Sequence, residues 1–122
     1  MNTTLWIVQG LLALIFAMAG IMKSTQPIDK LLKSGVTWTD RFPLTTVRII
    51  GLSELIGALG LILPWLLNIF PVLTPIAATS LALVMTLAMM HHLKYKEYKA
   101  IAFNFILLVL ICFVAYNRFN SL

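Results

Sequence analysis

From Leu55 to Leu93 the chain carries no Asp, Glu, Lys or Arg. Most residues of this stretch are apolar, and three prolines and an asparagine interrupt it between positions 64 and 75. One membrane-spanning helix needs about 20 apolar residues. The stretch is therefore long enough for two spanning helices joined by a short turn, and it predicts an integral membrane protein.

The composition of the whole chain agrees with this interpretation. Hydrophobic residues make up 61% of the sequence and charged residues only 11%, whereas soluble domains average roughly 45–50% and 25%. The formal charge of +5 does not indicate a nucleic-acid partner, because the basic residues lie between apolar segments, where membrane topology explains them. Cys112 is the only cysteine, so no internal disulfide forms, and its apolar surroundings predict a packing role.

Four apolar segments of near-spanning length predict an all-α protein, a single domain over residues 1–122 built as an antiparallel bundle of four transmembrane helices. The motif Ala17-Met18-Ala19 imitates a signal-peptide cleavage site, but no Lys or Arg precedes it and three further segments follow, so we expect the first helix to be retained. The segments are residues 5–22, 46–63, 72–91 and 100–117.

The loops between these segments differ in charge. Seven basic residues lie in the first and third loops, whereas the turn at 64–71 has none and the C-terminal tail has only Arg118. The positive-inside rule therefore predicts that the two basic loops are cytoplasmic and both termini lie outside. Within the first loop, residues 27–33 place Ile28, Leu31 and Leu32 on one face, which predicts a short amphipathic helix on the membrane surface. The alternative is a basic loop without regular structure.

Small residues recur along the first two spanning segments. Such residues let helix backbones approach closely in a membrane, so we expect the first and second helices to pack tightly. The residues concerned are Gly10, Ala13, Ala17 and Gly20 on one face of the first helix, and Gly51, Gly57, Ala58 and Gly60 around Glu54 in the second.

Glu54 lies inside the second apolar segment, about eight residues from either end. A carboxylate in hydrocarbon is costly and usually faces the bundle interior with a partner. Two roles remain open: an acid that handles protons or binds a ligand, or a hydrogen-bonded clasp between helices. Arg48 is six residues away and points about 120° from Glu54 around the helix, so the partner is expected on another helix.

Antiparallel threading brings several polar residues to the same depth as Glu54. We expect Lys23, one of His91 and His92, and Asn104 to converge with it on one polar pocket open to the cytoplasm; the alternative is that each meets headgroup water separately. The candidate ligand-binding residues are Lys23, Arg48, Glu54, His92 and Asn104, and the candidate catalytic residues are Glu54, His91 and His92. The polar residues that fall outside this group are Gln9, Asn68, Asn117 and Arg118.

The two histidines do not predict a metal site. Adjacent helical residues point about 100° apart, and the sequence has no third histidine and no cysteine nearby. The periodicity of the third segment does not decide whether His91 or His92 faces the interior. Glu97, in the loop that follows, is interpreted as a solvated side chain.

Three motifs in this order resemble the DoxX-like family of small four-helix membrane proteins. The first is Ala19-Gly20-Ile21-Met22-Lys23, the second is the G-x-x-E-x-x-G pattern from Gly51 to Gly57, and the third is His91-His92 followed by a short charged loop. The resemblance implies a bundle of four spanning helices without implying one reaction. Relatives in the wider family include quinone-linked oxidation subunits, components of membrane redox complexes and a receptor chaperone, so a quinone is the cofactor that the resemblance suggests.

These observations lead to two functional hypotheses. The first is a binding or accessory protein that holds a quinone, an isoprenoid or a lipid, with Glu54 at the polar end of its pocket. The alternative is a membrane enzyme, an isomerase or a quinone-linked redox subunit, that uses Glu54 and His91 or His92 for proton transfer. The partners expected are membrane lipid, a lipophilic small molecule, and a membrane protein or second copy of the chain.

Overall fold

The computed structural model describes residues 2–122. Over this range the chain forms four long helices and one short helix, without β-strands. A single 3-10 turn, Thr39–Arg41, lies between the short helix and the second long helix. The helices are α1 Asn2–Thr25, α2 Ile28–Lys33, α3 Leu44–Leu67, α4 Leu73–Lys94 and α5 Tyr98–Asn120.

The four long helices confirm the four predicted spans. Each is long and apolar enough to cross a membrane, and each extends a few residues beyond the apolar segment that predicted it. At 1.5 Å per residue the 24 residues of α1 reach about 36 Å, somewhat more than the roughly 30 Å of hydrocarbon.

The turn between α3 and α4 is built by the predicted helix-breaking residues. Asn68 follows α3 with a left-handed φ of 54°, a conformation that asparagine tolerates well at helix C-termini. The Ile69 N–H then donates to the Pro64 carbonyl at 3.1 Å. Because these bonds complete the end of the helix, α4 begins only a few residues later, antiparallel to α3.

The helices form a ring in the order α1, α3, α4, α5. The contacts of α1 with α3 and of α4 with α5 are the most extensive, whereas the seam between α1 and α5 is the least extensive of the neighbouring pairs. Buried apolar side chains fill the centre, and the outward faces are apolar and exposed, as lipid contact requires. The central residues include Leu12, Phe16, Leu61, Leu81, Ile111 and Val114.

Glycines set the close approach of α1 and α3. A Cβ on Gly20 would lie 2.6 Å from the Gly51 carbonyl oxygen, and a Cβ on Gly51 would lie 2.7 Å from the Ser24 nitrogen. The predicted tight packing is therefore confirmed at these positions. The prediction is wrong for Gly10, which is exposed and has no atom within 4 Å of an added Cβ.

Two smaller predictions have different outcomes. The helix in the first loop is confirmed as α2, with Leu31 fully buried, and it ends before Gly35 at a φ of 95°. Cys112, however, is exposed on the outer face of α5. The predicted packing role for Cys112 is wrong, because an apolar run on an outer helix face points to lipid as readily as to the core.

Candidate functional site

The basic end of the bundle, where α1 and α4 end and α3 and α5 begin, holds a buried ion pair. Lys23 Nζ donates to Glu54 Oε1 at 2.7 Å. The Glu54 side chain is 2% exposed and that of Lys23 is 14% exposed. Glu54 therefore faces the bundle interior and is hydrogen-bonded, as expected, and its partner comes from another helix.

Arg48 serves the end of α1 and makes no contact with Glu54. Its Nη1 donates to the carbonyl oxygens of Lys23 at 2.9 Å and Gln26 at 2.6 Å. The last carbonyls of a helix lack partners within the helix, and a cation there also complements the helix dipole. The structure thus places Arg48 as a cap that holds α1 against α3, whereas the sequence had grouped it with ligand-binding residues.

The structure distinguishes the two histidines. His92 is buried, and its Nδ1 lies 3.1 Å from Glu97 Oε1. His91 is half-buried, with its Nε2 3.2 Å from Arg41 Nη1 and its ring 5.1 Å from that of Phe42. His92 is therefore the histidine that faces the interior, and His91 packs against the first loop.

Glu97 is the centre of a hydrogen-bond network that ties the first loop to the α4–α5 turn. Its carboxylate accepts bonds from Arg41 Nη1 at 2.9 Å and from the Thr37 hydroxyl at 2.8 Å, besides its contact with His92. The hydrogen bonds with Arg41, His92 and Thr37 hold the pKa of Glu97 at about 2. The interpretation of Glu97 as a merely solvated side chain is wrong.

The network fastens a segment that we call the strap, residues 35–42, across the basic end. Beneath the strap is a cavity of about 260 Å³, with Lys23, His92 and Trp38 on its wall. The Lys23 Nζ lies 5.4 Å from the centre of the Trp38 ring. A smaller cavity of about 140 Å³ lies against the same Trp38 and His92, together with Phe42 and His91.

The expected convergence of polar residues is thus only partly found. Lys23 joins Glu54 directly and shares a cavity wall with His92. Asn104 is buried, but none of the hydrogen bonds recorded for residues 2–122 includes its side chain. Over the same range no three His, Cys, Asp or Glu side chains come together in a way that could hold a metal ion.

The structure has four spanning helices and a glycine contact beside a buried Lys–Glu pair. A comparison with known protein families agrees with this architecture. The model of the DoxX-like family matches residues 7–114. The chain belongs to the DoxX-like family. No curated protein and no solved structure matches it significantly. The family and the four apolar helices together make this a multi-pass membrane protein.

This DoxX-like protein has a second polar cluster at the opposite end of the bundle, which we call the terminal end because α1 begins and α5 ends there. Gln9 donates to the Leu61 carbonyl oxygen at 2.6 Å, and its own amide oxygen accepts a bond from Arg118 Nε at 2.6 Å. Arg118 is 2% exposed. The cluster therefore links α1, α3 and α5.

The sequence contained a signal for each missed group. Gln9 and Arg118 are two of the four polar residues that fall outside the first pocket, and antiparallel threading places the start of α1 and the end of α5 at one depth. Arg41 and Glu97 lie in the two basic loops, which topology places at one end. In each case the predicted topology places residues from distant parts of the chain at the same end of the bundle.

Proposed function

We propose that the protein binds the polar head of a lipophilic molecule in the cavity beneath the strap. The observation that carries this proposal is that Lys23 and His92, from different helices, line one cavity. Both side chains are hydrogen-bond donors in at least one protonation state, and apolar walls with a few placed polar groups are typical of ligand sites. A quinone carbonyl, an isoprenoid hydroxyl and a lipid phosphate would each accept bonds from these donors.

The size of the cavity favours a head group over a whole ligand. Its volume of about 260 Å³ lies below the roughly 300–1,000 Å³ of pockets that enclose drug-sized molecules. Ala19 and Met22 of α1 and Phe103 of α5 form part of its wall, so it lies at the α1–α5 seam. Because this seam is the least extensive of the neighbouring helix contacts, an apolar tail would leave through it into the bilayer.

The position of Glu54 supports binding over catalysis by that residue. Its carboxylate is engaged by Lys23 and is 2% exposed, and Glu54 is not among the residues that line the cavity. An enzyme would need an acid and a base within reach of one ligand atom. Glu54 instead holds the Lys23 ammonium in position, which is the clasp role that a binding protein requires.

A second candidate function is proton transfer in an isomerase or a quinone-linked redox subunit. It is favoured by one observation: His92 lies on the cavity wall with its Nδ1 against the Glu97 carboxylate. A carboxylate in that position orients a histidine and selects its tautomer. In this alternative His92 would be the proton-transfer residue, oriented by Glu97, with Glu54 acting through Lys23.

Orientation and partners form part of the same proposal. The basic loops would lie in the cytoplasm, so that the site opens towards that side. The apolar outer faces would contact membrane lipid and a membrane protein or second copy of the chain, which is the arrangement expected of an accessory subunit.

The experiment fills the cavity without touching its polar groups. Ala100 lines the cavity, whereas Ala102 on the same helix is exposed outside it. We expect native mass spectrometry in mild detergent to detect a bound short-chain quinone, isoprenoid alcohol or phospholipid on the wild-type protein and on Ala102→Phe. Ala100→Phe should lose at least about tenfold in affinity, or 1.4 kcal/mol. Equal binding by both variants would contradict the proposal.

A further inference from the structure

Arg118 is a buried cation that is not paired with any acidic side chain of residues 2–122. It is 2% exposed, and none of the ion pairs among residues 2–122 includes it. The acidic side chains are all elsewhere: Glu54 is paired with Lys23, Glu97 with Arg41, and the remaining two lie in the first loop at the basic end. The acidic residues of the chain are Asp29, Asp40, Glu54 and Glu97.

The neighbours of the guanidinium are neutral. Nε donates to Gln9 at 2.6 Å, and Nη1 donates to the Asn2 side-chain oxygen at 3.0 Å. Nη2 is buried and has no hydrogen-bond partner among residues 2–122. The rings of Trp65 and Trp6 lie 4.5 and 5.2 Å from the guanidinium carbon. Since the Gln9 amide nitrogen donates to Leu61, Gln9 offers Arg118 only its amide oxygen, and the Nη2 donors have no acceptor among residues 2–122.

Neutral acceptors and aromatic faces offset only part of the cost of burying this charge. Cation–π contacts with two rings stabilise the desolvated guanidinium, whereas a buried ion without a counter-ion still carries a desolvation penalty. An ionisable side chain buried in a membrane bundle usually has a charged partner or a functional role. An anionic group from outside the chain would supply the charge that the described neighbours of Arg118 lack.

The position of Arg118 identifies the class of that partner. It lies two residues before the end of α5, beside Asn2 at the start of α1 and two tryptophans, which is the depth at which tryptophans meet lipid headgroups. The planar guanidinium fork matches phosphate oxygens. We propose that Arg118 binds a phosphate group, supplied by a membrane lipid headgroup that enters along the α1–α5 seam.

The tryptophans make binding directly observable. Because the rings of Trp6 and Trp65 lie 5.2 and 4.5 Å from the guanidinium carbon, a phosphate bound to Arg118 would change the surroundings of at least one ring. In a Trp38→Phe background only these two tryptophans fluoresce, since Trp38 lies at the basic end. We expect dihexanoylphosphatidylglycerol, added to protein in phosphate-free maltoside micelles, to produce a saturable change in emission. Dihexanoylglycerol, which lacks phosphate, should produce none.

Variants of this background connect the signal to the guanidinium. Arg118→Gln should weaken binding at least about tenfold, because a phosphate loses its hydrogen bonds to a charged group. Lys33→Gln, which removes an exposed charge on α2, should bind as the parent does. If Arg118→Gln loses helicity by circular dichroism, Arg118→Lys decides: it keeps the charge without the planar fork, and its binding should still be weaker than that of the parent.

Titration with inorganic phosphate distinguishes a lipid headgroup from free phosphate as the source of the bound phosphate group. Binding of the lipid with little response to inorganic phosphate supports the headgroup, and equal responses support a phosphate site that does not require a lipid. The proposal is overturned if no phosphate probe gives a saturable change, if dihexanoylglycerol gives the same change, or if a folded Arg118→Gln variant binds as the parent does. Gln9, Asn2 and the two tryptophans would then be the partners that hold Arg118 among residues 2–122.

Discussion

The two ends of the bundle treat a buried cation in different ways. At the basic end the Lys23 ammonium meets the Glu54 carboxylate at 2.7 Å, whereas at the terminal end Arg118 meets two neutral side chains and two aromatic rings. Because the charges of Lys23 and Glu54 compensate each other, this ion pair is suited to holding helices in place. A cation without an acid remains available for a partner from outside the chain.

The contact between α1 and α3 changes along its length in a corresponding way. Near the basic end, Gly20 and Gly51 let the two backbones touch. Near the terminal end, the Gln9 side chain reaches across to the Leu61 carbonyl. The basic end is therefore held by close backbone packing and a charge pair, and the terminal end by hydrogen bonds through a side chain.

The largest effect is expected from breaking the Lys23–Glu54 pair. Lys23→Met leaves a carboxylate buried without its cation, which typically destabilises a protein by about 3–5 kcal/mol. The double variant Lys23→Met with Glu54→Met should recover most of this loss, because replacing both members of a buried pair by apolar residues is often neutral or stabilising. The free energy of unfolding in mixed micelles measures both effects.

Lys30→Met on α2 is the matched control for that prediction. Lys30 is exposed, and surface substitutions usually change stability by less than about 0.5 kcal/mol. If the double variant Lys23→Met with Glu54→Met is as unstable as Lys23→Met alone, each side chain stabilises the fold through its own packing. The ion pair between them then contributes little.

The fold was largely predictable because its determinants are local in the sequence. Segment length and hydropathy define the four spans, and Gly35 and Asn68 mark helix ends through conformations that few other residues adopt. The burial of Glu54 also followed from its position in an apolar run. The sequence predicts that the partner of Glu54 is Lys23, a histidine or Asn104. The packing of α1 on α3 shows that this partner is Lys23.

The next largest effect compares two glycines of α1. In Gly20→Ala the new Cβ would lie 2.6 Å from the Gly51 carbonyl oxygen, so the helices must separate, at a cost of about 1–3 kcal/mol. Gly10→Ala meets nothing within 4 Å and should stabilise α1 by up to about 1 kcal/mol, because glycine is a poor helix residue. Equal unfolding free energies for the two variants would show that the two ends do not differ in backbone packing.

The rest of the candidate site could not be read from the sequence because side-chain contacts across loops depend on where the loops lie. Glu97 meets Arg41 only because the strap crosses the basic end. The choice of His92 over His91 depends on the rotation of the last turn of α4, which the apolar pattern of that helix left open. The sequence places Arg118 outside the polar group around Glu54, and only the packing of α1 and α5 shows that it is buried.

The smallest expected effect is a local one, at the strap. The pKa of Glu97 is lowered from 4.5 to about 2, so its contribution to holding the strap is complete above about pH 4.5 and is lost as the pH falls through about 2. In a Trp6→Phe, Trp65→Phe background, the emission of Trp38 should show an acid transition below about pH 4.5, as Glu97 is protonated. Glu97→Gln should show the altered emission at neutral pH without an acid transition, whereas Asp40→Asn, at an exposed acid of the strap, should keep the transition. If Glu97→Gln retains the acid transition, a group other than Glu97 holds the strap. The hydrogen-bond network around Glu97 would then not distinguish the basic end from the terminal end.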